Sequence, residues 1–257
     1  SSWNAATVSG AGPYTCTASG VTSTDGTALT IQMRATNAAG TSTVSQSLAR
    51  TVDTVAPTSS ASAPGYTFGT WTATSPLSVT LSASDARSGV ASTQYCVDTD
   101  LNTCIPATAY SAPFNVTCTA GTSCTQYVRY QSQDNLSNLE SPIKSSQVLQ
   151  DRQVPTDGAL TPTPFSSSQI NLSWTAASDL GGGLAPSNTY KLVYLQGATL
   201  PNATCTNGTQ IYLGTALSYP HTGLTANTQY SYRVCANDLA GNVSNGATGT
   251  ASTPDTP

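Results

Sequence analysis

Aspartates in predicted turns are the side chains of this 257-residue chain best suited to binding a metal ion. Two of them, Asp53 and Asp151, each open a similar segment that ends at a proline, Pro57 and Pro155 respectively. Their carboxylates could bind calcium, which takes about six to eight oxygen ligands from carboxylates, carbonyls and water. Five further aspartates lie in similar turn contexts: Asp85, Asp98, Asp100, Asp134 and Asp238.

The same aspartates also fit a purely structural role. Asp and Asn side chains accept hydrogen bonds from the backbone that follows them and thereby stabilise turns. No segment of the chain resembles an EF-hand loop with its closely spaced acidic residues. We therefore expect turn formation to be their main role, and keep Asp53 and Asp151 as weak candidates for calcium at junctions between repeats.

The sequence contains no catalytic signature. A Ser-His-Asp site would need His221, the single histidine, which lies in a segment that we predict to be an exposed approach to a turn. No G-x-S-x-G motif accompanies it. None of the twelve acidic residues has a context that predicts the raised pKa of a glycosidase acid. We predict no catalytic residue, no cofactor and no enzymatic activity.

The amino-acid composition limits which binding partners and which cellular location the protein can have. Only 8% of the residues are charged, and the formal net charge is −4. The eight basic residues form no cluster that would indicate nucleic acid binding. No apolar run reaches the roughly 20 residues of a membrane span. Seven cysteines indicate an oxidising compartment, so we expect an extracellular or cell-surface location.

Six of the seven cysteines can be paired with a neighbour in sequence or in the same repeat. Local pairing gives three disulfides: Cys96–Cys104, Cys118–Cys124 and Cys205–Cys235. Cys16 is then unpaired or intermolecular. The nested pairing of Cys96 with Cys124 and of Cys104 with Cys118 stays open, because four cysteines allow three pairings. Zinc is disfavoured because the spacings are not C-x-x-C.

An alternating strand followed by a polar turn occurs three times along the chain. The turn residues Asn37, Asp134 and Asp238 are 97 and 104 residues apart, and a period near one hundred residues indicates tandem domains. Apolar and polar residues alternate as in half-buried strands, which predicts an all-β chain of antiparallel β-sandwiches. We predict a partial domain over 1–55 and complete domains over 56–152 and 153–257. The partial domain is either truncated or completed by strands of another subunit.

The third repeat resembles a fibronectin type III domain. Its marks are a second strand ending at Trp174 and a corner in which Leu224 precedes Tyr230. The resemblance implies that these three residues belong to the core and that the tyrosine hydroxyl bonds back across the corner. The second repeat resembles bacterial immunoglobulin-like surface repeats through its strand from Leu77 and its Ser88-Gly-Val turn.

These resemblances imply a non-enzymatic structural protein of the prokaryotic cell surface or extracellular space, such as a stalk, fibre or filament. Its partners would be further domains of the same chain or other subunits in head-to-tail self-association, with glycans as additional candidates. One alternative is an adhesive or carbohydrate-binding module, for which Trp71 is the candidate ligand patch because it lies in an aromatic loop. The other is a spacer region of a large extracellular hydrolase.

Overall fold

The structure is a computed structural model that describes residues 7–9, 15–17, 22–32, 34–36, 39–40, 42–44, 48–101 and 103–255. These residues form an all-β chain in which one short 3-10 turn, Ala203–Cys205, interrupts the strands. The strands are β1 (Thr7–Ser9), β2 (Thr15–Thr17), β3 (Ala28–Ile31), β4 (Arg34–Thr36), β5 (Ser42–Val44), β6 (Leu48–Thr51), β7 (Thr58–Ser62), β8 (Trp71–Thr72), β9 (Leu77–Ser84), β10 (Val90–Asp98), β11 (Thr108–Ala109), β12 (Phe114–Val116), β13 (Ser123–Asp134), β14 (Lys144–Asp151), β15 (Leu160–Ser166), β16 (Gln169–Trp174), β17 (Tyr190–Gln196), β18 (Thr209–Gly214), β19 (Ser218–Thr222), β20 (Gln229–Ala236) and β21 (Ala247–Ser252). None of the described residues forms a helix long and apolar enough to cross a lipid bilayer.

The chain divides into two compact units. The first comprises Ser1–Ser59, Ala83–Thr93 and Gln131–Pro142. It contains three antiparallel ladders, β1–β2, β3–β6 and β4–β5. Two predictions for this part, the turn at Asn37 and the pairing of the Cys16 side chain, fall outside what the structure describes. Completion of the N-terminal piece by another subunit therefore stays a prediction.

The second unit comprises Ser60–Ser82, Gln94–Tyr130 and Ile143–Pro257. Its first core lies between a five-stranded sheet, in the order β11-β10-β13-β14-β8, and a three-stranded sheet, β12-β9-β7. Strand β9 shows how the sequence produces this core, because Leu77, Val79 and Leu81 alternate with polar residues and are buried. Successive side chains of a strand point to opposite faces, so this alternation directs one face inward.

A second core in the same unit is built from the third repeat. A three-stranded sheet, β15-β16-β19, and a four-stranded sheet, β18-β17-β20-β21, supply its two layers. Ile170, Leu172 and Trp174 on β16 pack against Leu192 on β17 and Tyr232 on β20. The predicted domain boundaries near residues 55 and 152 do not coincide with the two compact units, and they stay a prediction.

Disulfides join cysteines that are near in sequence or lie on adjacent elements. The structure contains the local pairing: Cys96–Cys104, Cys118–Cys124 and Cys205–Cys235. Cys205 and Cys235 are almost completely buried and pack with Val193, so this bridge forms a small apolar cluster of its own. The nested alternative for the four cysteines of the second repeat is not the arrangement found.

Candidate functional site

Three aspartates of the first unit converge although they are far apart in sequence. Asp53 follows β6, Asp85 follows β9, and Asp134 ends β13. One carboxylate oxygen from each lies within 4.8 Å of the other two. Asp53 and Asp134 are buried and Asp85 is half-buried. We call this set the first aspartate triad.

Backbone amides hold the first triad in place. Asp53 Oδ2 accepts a hydrogen bond from the Ser88 amide at 2.9 Å, and Asp53 Oδ1 accepts one from its own linker at the Val55 amide. Asp85 Oδ1 accepts from the amides of Arg87 and Gly89. The turn sequences therefore orient each carboxylate by the local bonding that Asp provides in turns.

A second aspartate triad, within the second unit, has the same construction. It consists of Asp151 at the end of β14, Asp179 in the loop after β16, and Asp238 just beyond β20. One oxygen of each again lies within 4.8 Å of the others, and Asp151 and Asp238 are buried. Asp151 Oδ2 accepts a hydrogen bond from the Gly182 amide at 2.7 Å, as Asp53 does from Ser88.

An asparagine completes each triad in the same way. Asn138 Nδ2 donates to Asp134 Oδ2 at 2.7 Å and to the Asp53 carbonyl oxygen at 3.1 Å. Asn242 Nδ2 donates to Asp238 Oδ2 at 2.7 Å and to the Asp151 carbonyl oxygen at 2.9 Å. Each asparagine thus ties a predicted linker to the turn that carries the third aspartate.

Positive charge is distributed unequally around the triads. In the first unit Arg87 Nε donates to Asp25 Oδ2 at 2.8 Å, and both residues line a cleft of about 290 Å³ with Asp53 and Asp85. The pKa of Asp53 is lowered, first by the nearby Ser88 hydroxyl and further by the backbone amides of Ser88 and Val55. Burial by itself would raise the pKa of Asp134, but hydrogen bonds led by those of Asn138 outweigh it and lower this pKa.

The second triad has no such cation within the part of the chain that the structure describes. Among the residues that the structure describes, no Lys or Arg forms an ion pair with Asp151, Asp179 or Asp238. Burial raises the pKa of Asp238, and the charge of Asp151 adds to this effect. Three carboxylates at close range disfavour one another's ionised forms when no cation is present.

The two triads contain three of the five aspartates predicted from turn contexts, namely Asp85, Asp134 and Asp238, together with both linker aspartates. Asp98 and Asp100 lie elsewhere, at the end of β10 and in the turn that follows it. Asp98 accepts hydrogen bonds from Thr103 and Cys104, and that from the Thr103 hydroxyl is the main cause that lowers the pKa of Asp98 to about 2. Asp98 thus has a local turn role.

Asp179 was missed, because its Asp-Leu-Gly-Gly-Gly segment reads as an ordinary loop. A signal was nevertheless present. Asp85 and Asp179 both begin an Asp-x-x-x-Gly segment, and Asp134 and Asp238 both begin an Asp-x-x-x-Asn segment. Aligning the repeats on these two patterns would have identified Asp179.

Trp71, the candidate ligand patch, is half-buried and lies on β8, which pairs in parallel with β14. A Cβ added to Gly182 would lie 2.9 Å from the Trp71 ring, so the indole packs directly on the loop that carries the second triad. This geometry gives the tryptophan a contact within the second unit, and its role in ligand binding stays a prediction.

The residues that carried the fibronectin type III resemblance lie in the core of the third repeat. Trp174, Leu224 and Tyr230 are all buried. Tyr230 Oη accepts a hydrogen bond from the Thr225 amide at 2.9 Å, across the corner before β20. The hydroxyl therefore bonds back to the backbone of the corner, as the resemblance implies.

His221 differs from expectation. We predicted an exposed approach to a turn, but His221 lies on β19, paired with β16, and is 7% exposed. Its Nδ1 lies 3.1 Å from Tyr232 Oη, and its ring lies 4.4 Å from that of Tyr194. The prediction was wrong because alternation places position 221 on the inner face of the strand. No acidic partner orients this imidazole for catalysis among the described residues.

Comparison with known proteins gives a partial match. No protein-family profile matches the chain. A 136-residue stretch is 29% identical to Exoglucanase B of Cellulomonas fimi, and the match covers 48% of this chain and 11% of that protein. The chain therefore spans about a tenth of the length of this relative.

Solved structures with a similar fold are themselves arrays of domains. Titin domains A168–A170 match with 17% identity and a TM-score of 0.48, over 89% of this chain and 75% of that one. The chicken CNTN1 FN1–FN3 domains match with 16% identity and a TM-score of 0.39, over 87% and 74%. Two fibronectin type III domains of chicken tenascin match with 13% identity and a TM-score of 0.32, over 77% and 100%.

All three TM-scores are below 0.5, so the description of the fold rests on the strand order of this chain. That order gives sheets of three and four strands in the third repeat and of three and five strands in the second. Facing sheets of this size, antiparallel except for the β8–β14 pair, match the architecture of immunoglobulin-like and fibronectin type III domains. The chain is all-β, and its tandem β-sandwiches resemble the domains of these two families.

Proposed function

We propose that this chain is a non-enzymatic structural segment, a stalk or fibre of tandem β-sandwiches outside the cell. The observation that carries the proposal is the repeated anchoring of the linker. Asp53 and Asp151 are each bound at the carboxylate by a loop amide and at the carbonyl by an asparagine side chain. Such bonding restrains a linker that would otherwise be flexible.

The three disulfides support the same function. Each closes a loop and limits how far the chain extends if a sandwich unfolds, which suits a load-bearing segment. Disulfides persist in oxidising compartments, which is consistent with an extracellular location. A filament formed by strand addition to the N-terminal piece 1–55 is the narrower form of this proposal.

The second candidate function is a spacer in an extracellular hydrolase. The similarity to Exoglucanase B of Cellulomonas fimi favours it, because the match involves only 11% of that protein. In this case the catalytic chemistry would be supplied by a different part of the protein. An adhesive module, with Trp71 as its ligand contact, is less well supported because the indole already packs on Gly182.

Force spectroscopy on the purified chain tests the structural role. Unfolding of one sandwich of about 100 residues should lengthen the chain by about 33–36 nm, less the loop closed by its disulfides. Adding a reductant should increase the length gained from the third repeat by roughly 10 nm, because Cys205 and Cys235 are 30 residues apart. Unfolding in one step at negligible force would contradict a load-bearing role.

Incubation with cellulose distinguishes an adhesive module or an enzyme from a structural segment or spacer. A structural segment or spacer should neither bind nor hydrolyse the polymer. Binding that is lost in Trp71→Ala, with the far-UV circular dichroism spectrum unchanged, would instead establish the adhesive module. Release of soluble sugar by the purified chain would contradict the non-enzymatic proposal.

A further inference from the structure

We propose that the two aspartate triads are matched divalent-cation sites whose ion is calcium. One site comprises Asp53, Asp85 and Asp134, and the other comprises Asp151, Asp179 and Asp238. The inference concerns ion binding and does not depend on the structural role proposed above.

A buried oxygen in the second triad calls for a ligand. Asp179 Oδ1 is buried, exposing less than 1 Å² to solvent, and has no hydrogen-bond partner among the residues the structure describes. The other oxygen of this carboxylate, Oδ2, is held by the amides of Gly181 and Gly183, so the side chain cannot turn away without losing two bonds. An ionised carboxylate only accepts, and a buried acceptor with no partner is disfavoured.

The buried negative charge of the second triad is the second reason to expect a bound cation. Asp151 is completely buried and Asp238 is 4% exposed, yet no described basic side chain pairs with either of them. Buried charges in proteins are paired or coordinate a metal ion. The hydrogen bonds from Gly182 and Asn242 orient these two carboxylates, but they add no positive charge.

The first triad has the same arrangement of three aspartates but differs in the residues around them. Asp85 Oδ2 corresponds to the unpartnered oxygen of Asp179, because Oδ1 takes both hydrogen bonds from the loop amides. Ser88 stands where the second triad has Gly182, and it adds a hydroxyl beside Asp53. The two triads are thus expected to bind the same ion with different affinities.

The ligand atoms favour calcium. Every donor in both triads is an oxygen, and neither triad includes the histidine or cysteine that zinc and copper sites use. Oxygens about 2.3–2.6 Å from one calcium ion can be up to about 4.6–5.2 Å apart. The separation within 4.8 Å fits this span. Water would complete the coordination, as it does in many calcium sites.

Calorimetric titration of the chelator-treated chain with calcium chloride tests the proposal. The wild-type chain should bind about two ions, and magnesium should bind more weakly because it gives up its water shell less readily. Asp179→Asn should reduce the stoichiometry from about two to one, as should Asp85→Asn, while the double variant should bind none. Asn retains an oxygen for the loop amides, so the turns keep their hydrogen bonds.

Asp100→Asn is the matched control, because Asp100 is exposed and lies outside both triads. It removes the same charge and should still bind two ions. The proposal is overturned if the folded wild-type chain binds no calcium at about 10 mM, above the usual range of about 10⁻⁴–10⁻³ M for extracellular modules. It is also overturned if the folded double variant still binds two ions.

Thermal unfolding provides a second readout. Without calcium, the double variant should unfold at or above the wild-type temperature, because it removes repulsion between carboxylates. With about 10 mM calcium the order should reverse, because an ion that binds only the folded state stabilises it. If calcium does not reverse the order of the two unfolding temperatures, the proposal is overturned. This readout does not depend on the heat of binding, so it applies even where calorimetry gives a weak signal.

Terbium emission tests for an ion at the second triad without changing the aspartates. Terbium substitutes for calcium and is excited through nearby aromatic rings. Trp71 packs on Gly182, whose amide donates to Asp151, so the indole lies near this triad. Terbium emission should fall in Trp71→Phe and should be displaced by calcium. Emission that is equal in both proteins, or that calcium does not displace, would contradict a site at the second triad.

Discussion

Asn242 donates a hydrogen bond from its side-chain amide to Asp238 Oδ2 at 2.7 Å, four residues earlier in the same turn. The same amide reaches the Asp151 carbonyl oxygen at 2.9 Å, although 91 residues separate the two. A local turn contact and a long-range contact therefore share one donor group. The corresponding pair in the first unit, Asn138 and Asp134, does the same with Asp53.

Replacing Asn242 with alanine should destabilise the second unit. Asn242→Ala removes the side-chain donor to Asp238 Oδ2 and to the Asp151 carbonyl oxygen, so we expect a loss of about 1–3 kcal/mol in the free energy of unfolding. Urea denaturation measures this change, and proteolysis near residue 152 should become faster. Asn115→Ala, at an exposed position of β12, is the control and should change stability by less than about 0.5 kcal/mol. Equal effects from both variants would contradict the role of this amide.

The hydroxyl of Tyr230 should contribute measurably to the third repeat. Tyr230→Phe removes the acceptor for the Thr225 amide and should lower the free energy of unfolding by about 0.5–1.5 kcal/mol. The packing of the ring is retained, so the fold should not change. Tyr219→Phe is the matched control, because Tyr219 packs at the edge of the same core. A destabilisation of the control as large as that of Tyr230→Phe would remove the corner hydrogen bond as the cause.

The buried imidazole of His221 should make stability depend on pH. Burial lowers the pKa of His221 below the 6.5 of an exposed histidine, so the unfolded chain binds a proton at a higher pH than the folded chain does. Stability should therefore fall as the pH decreases from about 7 to 5, and rise as the pH increases through this window. Burial raises the pKa of Tyr232, the neighbour of His221 Nδ1, so this phenol does not titrate in the same range.

Urea denaturation at several pH values measures this slope. His221→Gln can still bond to Tyr232 but cannot gain a proton. The free energy of unfolding of this variant should therefore depend less on pH between 7 and 5 than that of the wild-type chain, by the uptake of at most one proton on unfolding. Carboxylates should dominate both proteins below pH 5. A steeper slope in the variant would contradict our account of this buried ring.

The Cys205–Cys235 disulfide should be the most stabilising of the three. Its cysteines are 30 residues apart, whereas those of the other two bridges are 8 and 6 residues apart. A disulfide that closes a longer loop removes more conformational entropy from the unfolded chain and therefore stabilises the folded state more. Replacing both Cys205 and Cys235 with alanine should cost about 3–4 kcal/mol by this loop-closure model. The corresponding double variant of Cys118 and Cys124 should cost less. The reverse order in urea denaturation would contradict the loop-length argument.

Local patterns were sufficient for much of the fold. Alternation along Leu77–Leu81 and Ile170–Trp174 predicted strands with one buried face, and these residues do form the inner faces of β9 and β16. Tyr230 and Leu224 were placed in the core by their order around a corner. His221 shows the limit of this reasoning, because its position at the approach to the corner suggested exposure whereas the strand register buries it.

The aspartate triads, too, could be predicted from the sequence only in part. The sequence by itself determined that Asp53 and Asp151 occupy equivalent linkers and that Asp134 and Asp238 begin equivalent turns. Only the tertiary structure decided that a linker and two distant turns meet, and that Asp179 is the missing third member of its triad. The physical reason is that turn chemistry is local, whereas the approach of carboxylates from separate strands depends on how the sheets pack.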